Sequence, residues 1–468
     1  MPMPAPIMSS QDAANLEPDA IAGDARDAET SRSLLARVGR WFSSSGGSST
    51  GDAVALTPLE VRRMHRQLRK CFEASLADLE SNALARELME RYLAGSAEVR
   101  LVMLRAMALE AVRHEHTGVD LTSMLESTRI RFFKRFNALP DGLAFLVKLR
   151  ADMLAHRKAI DGLAQLELDL GSLLSAWFDV GFLELQRITW DSPASLLEKL
   201  MRYEAVHEIA SWTDLRNRLD SDRRCYAFFH PRLPKEPLIF VEVAFLKELA
   251  GDVGALLNEA APLEDLTRVR WAVFYSISNT QHGLRGVSFG NFLLKRVIEA
   301  LRQDIPQLDR FATLSPIPGF VDWLSARRES EISEMLGNRS VRTLKAEPAG
   351  PASLAGDDLI AWLRQPGADS DREGARRELG ERLGAYYLAR SFNKSKQPLD
   401  PVARFHLGNG ARIERLNWRA DNSVKGIRES LGLMVNYQYL IAELDDNLVR
   451  LSQGEPRLGR SVSRLLAR

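Results

Sequence analysis

The spacing of apolar residues changes near Arg224, and that change divides the chain into two kinds of structure. From about Pro58 to Leu200 apolar residues recur three and four apart, as in Val102, Leu104, Met107, Ala108 and Val112. This spacing places them on one face of an α-helix. Candidate helices fall near 58–76, 80–94, 97–114, 118–136, 140–156, 158–169 and 170–186, separated by breaks such as Leu139-Pro140-Asp141-Gly142. From Arg224 onward short β-rich runs begin: Cys225 to Phe229, Leu238 to Leu246, Trp271 to Ile277 and Arg310 to Leu314. Helical stretches such as Asn291 to Arg302 alternate with them. The expected fold class is an all-helical domain followed by a mixed α/β domain. Its expected parts are a disordered arm over 1–54, a helical domain over 55–200, the α/β domain over 201–455 with a helical insertion at 325–398, and a basic tail over 456–468.

Charge and composition exclude several function classes. Lys and Arg number 63 against 62 Asp and Glu, so no overall field draws the chain to nucleic acid or an anionic membrane. The two cysteines, Cys71 and Cys225, are too few for a disulfide framework or a four-cysteine zinc site, and a reducing cytoplasmic compartment fits them best. The longest apolar run, around Leu238 to Leu246, is interrupted by Glu242 and is far short of the ~20 residues that span a bilayer. The arm contains one short basic amphipathic stretch, Ser31 to Phe42, but the acids before it argue against organelle targeting, and the C-terminus lacks a Ser-Lys-Leu address. Metal sites are not expected. His207-Glu208 is followed by Ser211 where a zinc protease would need a second histidine, and His114 and His116 fall on different helix faces.

Three stretches carry possible chemistry. The strand Trp271 to Ile277 runs into a loop with Gly283, Gly286 and Gly290, then a helix, an order that suits a diphosphate held by backbone N–H groups and the helix dipole. The glycine spacing matches neither the Walker pattern nor GxGxxG, so an ordinary glycine-rich connection fits equally on spacing alone. Gly286-Val287-Ser288-Phe289-Gly290 also matches the G-x-S-x-G nucleophile elbow, but a polar stretch separates it from the strand that an elbow must follow at once. Downstream, Ser315 ends a short strand before Pro316-Ile317-Pro318, and taken alone it reads as a cap for the next helix. Asp400 to Gly410 reads as a short helix with an Asp cap, Pro in the first turn and a glycine stop; it places His406 in the last turn. Alone, that histidine reads as structural, as do the other seven.

Together these pieces resemble the malonyl-CoA decarboxylase family. The resemblance rests on 274–297, FATLSPIPGF at 311–320, 230–246, DPVARFHLGNGA at 400–411 and GLMVNYQY at 432–439, in the same order and spacing. It implies a GNAT-like acetyltransferase fold for the second part and tetramer formation through the helical part. It also implies a coenzyme A-binding loop of Arg285, Gly286, Val287, Ser288, Phe289, Gly290 and Asn291, a catalytic pair of Ser315 and His406, and further functional positions at Ser276 and Tyr439.

The implied reaction turns malonyl-CoA into acetyl-CoA and carbon dioxide. The thioester carbonyl accepts the electrons left on the α-carbon, so no cofactor is needed as an electron sink; coenzyme A is part of the substrate. The protein must supply a donor for the enolate oxygen and an acid for the carbon. Two rival readings are a CoA-dependent acyltransferase, which would need an acceptor pocket and a general base, and a non-catalytic acyl-CoA-binding protein.

Overall fold

A computed structural model describes residues 56–73, 79–115, 127–287, 293–346, 350–365 and 370–467. The arm with its candidate helix at 31–42, together with Ser288, Phe289, Gly290 and Asn291, lies outside the described residues.

Among the described residues six helices build the first part: α1 (Pro58–Glu73), α2 (Leu79–Ala94), α3 (Ala97–Glu115), α4 (Thr128–Asn137), α5 (Gly142–His156) and α6 (Leu163–Trp177). Thr57 and Glu60 start α1 by reciprocal side-chain to backbone bonds, of 2.7 Å and 3.3 Å, in a capping box with Pro58 in the first turn. Phe72 of α1 stacks on Phe132 of α4 at 4.1 Å, and Phe136 and Phe145 extend this aromatic core. Helix α5 buries Leu143, Phe145, Leu146, Val147, Leu149 and Met153, so it is apolar on nearly every side and sits centrally. The two helices expected at 158–169 and 170–186 are instead the single helix α6. Gly162, at φ +81°, blocks an earlier start, and after Trp177 the Asp179 carboxylate accepts the Gly181 N–H at 2.8 Å and turns the chain. The sheet then begins, within the stretch expected to be helical.

Its strands are β1 (Glu184–Ile188), β2 (Arg223–Phe229), β3 (Ile239–Leu246), β4 (Trp271–Asn279), β5 (Arg310–Thr313), β6 (Ser315–Pro316), β7 (Arg412–Asn417) and β8 (Met434–Tyr439). They run in the order β1-β2-β3-β4-β5-β8-β6, with β7 also paired to β8. All pairs are antiparallel except β4 with β5. The continuous apolar run of β3 is explained by burial on both faces: Val241, Val243 and Phe245 join the core shared with the helical part, whereas Phe240 and Ala244 enter two smaller clusters. An α-helical part followed by a mixed α/β part is thus what the sequence pattern implied.

Two features of this architecture make room for a site. Strand β5 pairs with β4 only from Trp271 to Phe274, while β4 continues to Asn279, so the two strands part and a cleft opens beyond them. The insertion carries the helical stretch Glu329–Ala346, broken at Gly337, and the helices Gly356–Arg364 and Ser370–Arg390, and it returns the chain at Asp400 beside that cleft. The terminal stretch expected as a tail carries the helix Arg460–Ala467, with Val462 buried.

Candidate active site

The helix Pro401–Gly408 forms for the local reasons its sequence suggests. The Asp400 carboxylate accepts the N–H groups of Val402 and Ala403 at 3.0 and 2.8 Å, and Pro401 occupies the first turn, where no N–H is required. Gly410, at φ +81°, ends it; a Cβ there would lie 2.7 Å from the Leu444 carbonyl oxygen. This short, tightly capped helix delivers His406 into the interior, 3 % exposed and stacked on Tyr437 with 4.7 Å between ring centroids.

Ser315 meets it there. The strand β6 places its Oγ 3.1 Å from His406 Nε2, and the same hydroxyl donates to Thr313 Oγ1 at 2.8 Å. Thr313 Oγ1 also accepts the Tyr437 N–H at 3.1 Å, and His406 Nδ1 lies 2.8 Å from the Tyr439 hydroxyl. Ser315 is therefore not a helix cap: the following helix, Phe320–Ser325, is entered through Gly319.

The polarity of this chain of bonds follows from Tyr439. Its phenol is buried, its pKa is raised well above the ordinary value by that burial, and His406 Nδ1 is its hydrogen-bond partner among the described residues. A buried hydroxyl proton needs an acceptor, so Tyr439 donates to Nδ1. The ring proton then sits on Nε2 and points at Ser315 Oγ. Burial alone pushes the His406 imidazole down to about 3, so the ring is neutral at physiological pH. The corner thus presents a neutral imidazole N–H and a hydroxyl, with no carboxylate in the hydrogen-bonded chain.

This pair lines a cleft of about 420 Å³ whose other walls include Phe274, Ile277, Asn279 and Val287. Val287 belongs to the loop that follows β4, while Arg285 and Gly286, the latter at φ +80°, are exposed on the same loop. A 3₁₀ turn, His282–Leu284, separates β4 from the G-x-S-x-G string, so the immediate strand-to-serine turn of an elbow is absent there. Ser276 lies elsewhere. Its hydroxyl donates to the Glu204 carboxylate at 2.9 and 2.8 Å, and Ser278 donates to the same carboxylate at 3.1 Å. Beside them Glu242 is fully buried; that burial, then the Glu204 charge, raises its pKa to about 8 against the opposing pull of Arg218 at 3.1 Å.

The predicted residues thus separate into groups. Ser315, His406 and Tyr439 come together, Val287 faces the same cleft, and Ser276 joins a carboxylate cluster. Thr313 and Tyr437, which complete the corner, carry no sequence signal of their own beyond the place of Thr313 two positions before Ser315, at the end of β5. Among the described residues no group of three or more His, Cys, Asp or Glu could hold a metal ion.

Comparison with known proteins gives the family. Residues 97–178 match the family model for the malonyl-CoA decarboxylase N-terminal domain, and 181–468 match that for the C-terminal domain. The chain belongs to the malonyl-CoA decarboxylase family. A mitochondrial malonyl-CoA decarboxylase of the goose Anser anser anser is 37% identical over 383 residues, covering 75% of this chain and 73% of the relative. The crystal structure of malonyl-CoA decarboxylase from Cupriavidus metallidurans is 52% identical, with a TM-score of 0.77 over 87% of this chain and 99% of that one. The corresponding structure from Rhodopseudomonas palustris is 37% identical, with a TM-score of 0.71 over 88% of this chain and 100% of its own. The boundary between the two family models, near 180, falls at the turn between α6 and β1.

Proposed function

We propose that this chain decarboxylates malonyl-CoA to acetyl-CoA and carbon dioxide, with Ser315 and His406 at the acyl end of the cleft and the loop around Arg285, Gly286 and Val287 at the coenzyme A end. The observation that carries the reading is the buried Ser315–His406 contact in a cleft that also receives Val287. On this reading Ser288, Phe289, Gly290 and Asn291 continue the carrier-binding loop.

The chemistry follows from what the corner offers. Breaking the bond between the α-carbon and the carboxylate leaves an electron pair that moves into the thioester carbonyl as an enolate. A neutral imidazole N–H is a donor that costs nothing to keep uncharged in so dry a place, and it serves either the departing carboxylate or the enolate oxygen. Ser315 supplies the second donor. Its O–H, which now donates to Thr313 Oγ1, is redirected when the substrate displaces that bond. The reaction consumes one proton, which reaches the α-carbon through this pair and is replaced from water. No cofactor is called for, because the thioester is itself the electron sink.

Purified protein incubated with malonyl-CoA alone tests the reading by mass spectrometry. Acetyl-CoA and carbon dioxide should form without any acceptor. Product only on adding an amine would replace the proposal with an acyltransferase, and tight coenzyme A binding without turnover would replace it with a sensor. Three further parts belong to the same proposal: a GNAT-like grip on coenzyme A where β4 and β5 part, a homotetramer built through α1 to α6, and a cytoplasmic location. Cys71 and Cys225 are buried thiols outside any disulfide, which supports the last of these, and no helix among the described residues is long and apolar enough to cross a membrane.

A further inference from the structure

The helical part reaches directly into the loop assigned to the coenzyme A carrier. Arg150 of α5 is only 7 % exposed. Its Nη1 donates to the carbonyl oxygens of Gly283 and Arg285 at 2.7 and 3.0 Å, and its Nε donates to Glu167 of α6 at 3.0 Å. Glu167, itself 1 % exposed, is also bonded to Arg157 at 3.1 Å. The packing leaves the guanidinium one place: a Cβ on Gly171 would come within 3.0 Å of its Nη2. An independent contact seats the loop beside it. A Cβ on Gly283 would lie 1.8 Å from the Val147 carbonyl oxygen, so the loop backbone touches α5 where only glycine fits.

The grip on Arg285 has a directional consequence. In a trans peptide the C=O and the following N–H point in opposite directions. Holding the Arg285 carbonyl toward Arg150 therefore turns the Gly286 N–H away from the helix, at an exposed residue where even an added Cβ would meet nothing within 4 Å. The neighbouring N–H groups of Arg285 and Val287 are engaged within the turn, by the His282 and Leu284 carbonyls. Among the described residues the Gly286 N–H is left without a backbone partner, turned from α5 by the buried guanidinium.

We propose that Arg150 is a positioning residue for substrate binding: by fixing the Gly283 and Arg285 carbonyls from the helical part, it aims the loop's Gly286 N–H at the diphosphate of the acyl-CoA. This rests on the proposed function of the loop. The test compares the wild-type chain with Arg150→Met and with the double variant Arg150→Met/Glu167→Gln, which leaves no unpaired buried carboxylate. Each is measured for coenzyme A affinity by calorimetry and for kcat and KM with malonyl-CoA. The expected result is a loss of coenzyme A affinity and a rise in KM of about ten-fold, the scale of losing charge-assisted hydrogen bonds, with kcat within about three-fold of wild type. Gly283→Ala, which pushes the loop off α5 without touching charge, should give the same split. Unchanged affinity and KM in folded variants would overturn the proposal, as would a fall in kcat with KM unmoved. If the wild-type chain itself neither binds coenzyme A nor turns over malonyl-CoA, it is the reading of the loop that fails.

Discussion

The two ends of the cleft, the acyl and carrier ends of the proposed function, are held in different ways. At the acyl end every support is a side chain or backbone group of the sheet and its capping helix: Thr313, Ser315, Tyr437 and Tyr439 around His406. At the carrier end the support comes from another part of the molecule, through Arg150 and the Val147 carbonyl, onto loop backbone. The first arrangement fixes protons and ring orientation, which is what bond breaking requires. The second fixes the direction of peptide planes, which is what binding requires. Chemistry and binding should therefore be separable by mutation.

The largest effect expected is His406→Ala, which removes the imidazole and leaves the loop untouched. Turnover should fall at least ~100-fold, the usual scale for an acid–base group, while coenzyme A affinity stays near wild type in calorimetry. A parallel loss of affinity would show that the two ends are not independent.

How far the two ends could be read from sequence differs for the same reason. The acyl end is built from compact strings, Asp400-Pro401 through Gly410 and Ser315-Pro316-Ile317-Pro318, whose caps and prolines specify local shape, so the helix carrying His406 was legible. The carrier end depends on a contact between residues 133 apart in sequence, and no local pattern around Arg150 announces it. Helix termini around 158–186 differ from those the pattern implies because apolar periodicity runs on past a left-handed glycine and an Asp turn. The direction of Ser276 was hidden as well. The pairing of β3 with β4 shifts register between Glu242 and Val243, and a one-residue shift decides which face a side chain occupies.

A smaller change sharpens the account of the acyl end. Thr313→Val keeps the shape but deletes the acceptor that orients Ser315, and kcat should fall about 5- to 10-fold, the equivalent of roughly 1 kcal/mol, with KM unchanged. Tyr439→Phe should act similarly, because Nδ1 then loses the donor that sets the tautomer. In the wild-type chain burial keeps His406 neutral down to about 3, so the pH profile of kcat/KM should contain no limb from it between about pH 5 and 8. A limb near 6.5 that disappears in a His406 variant would refute the neutral-ring assignment.

The smallest effect concerns the capping residue. Asp400 is 1 % exposed, and burial raises its pKa from 3.8 to about 6 against the lowering pull of the N–H groups it caps. Because the folded value lies above the unfolded one, the native state holds more protons between these limits, so the stability this carboxyl contributes is present below about 3.8 and is lost as pH rises through 6. Asparagine is also a good cap but cannot ionise. Asp400→Asn should therefore gain on the wild type by something of order 1 kcal/mol between pH 4 and 7, measured by urea unfolding at the two pH values. Turnover should change little, since the Asn side chain keeps the helix and the His406 ring in place. If the variant instead loses ground to the wild type on going from pH 4 to 7, the Asp400 carboxylate is better accommodated than its burial implies, and the helix beneath His406 draws on a charge rather than merely tolerating one.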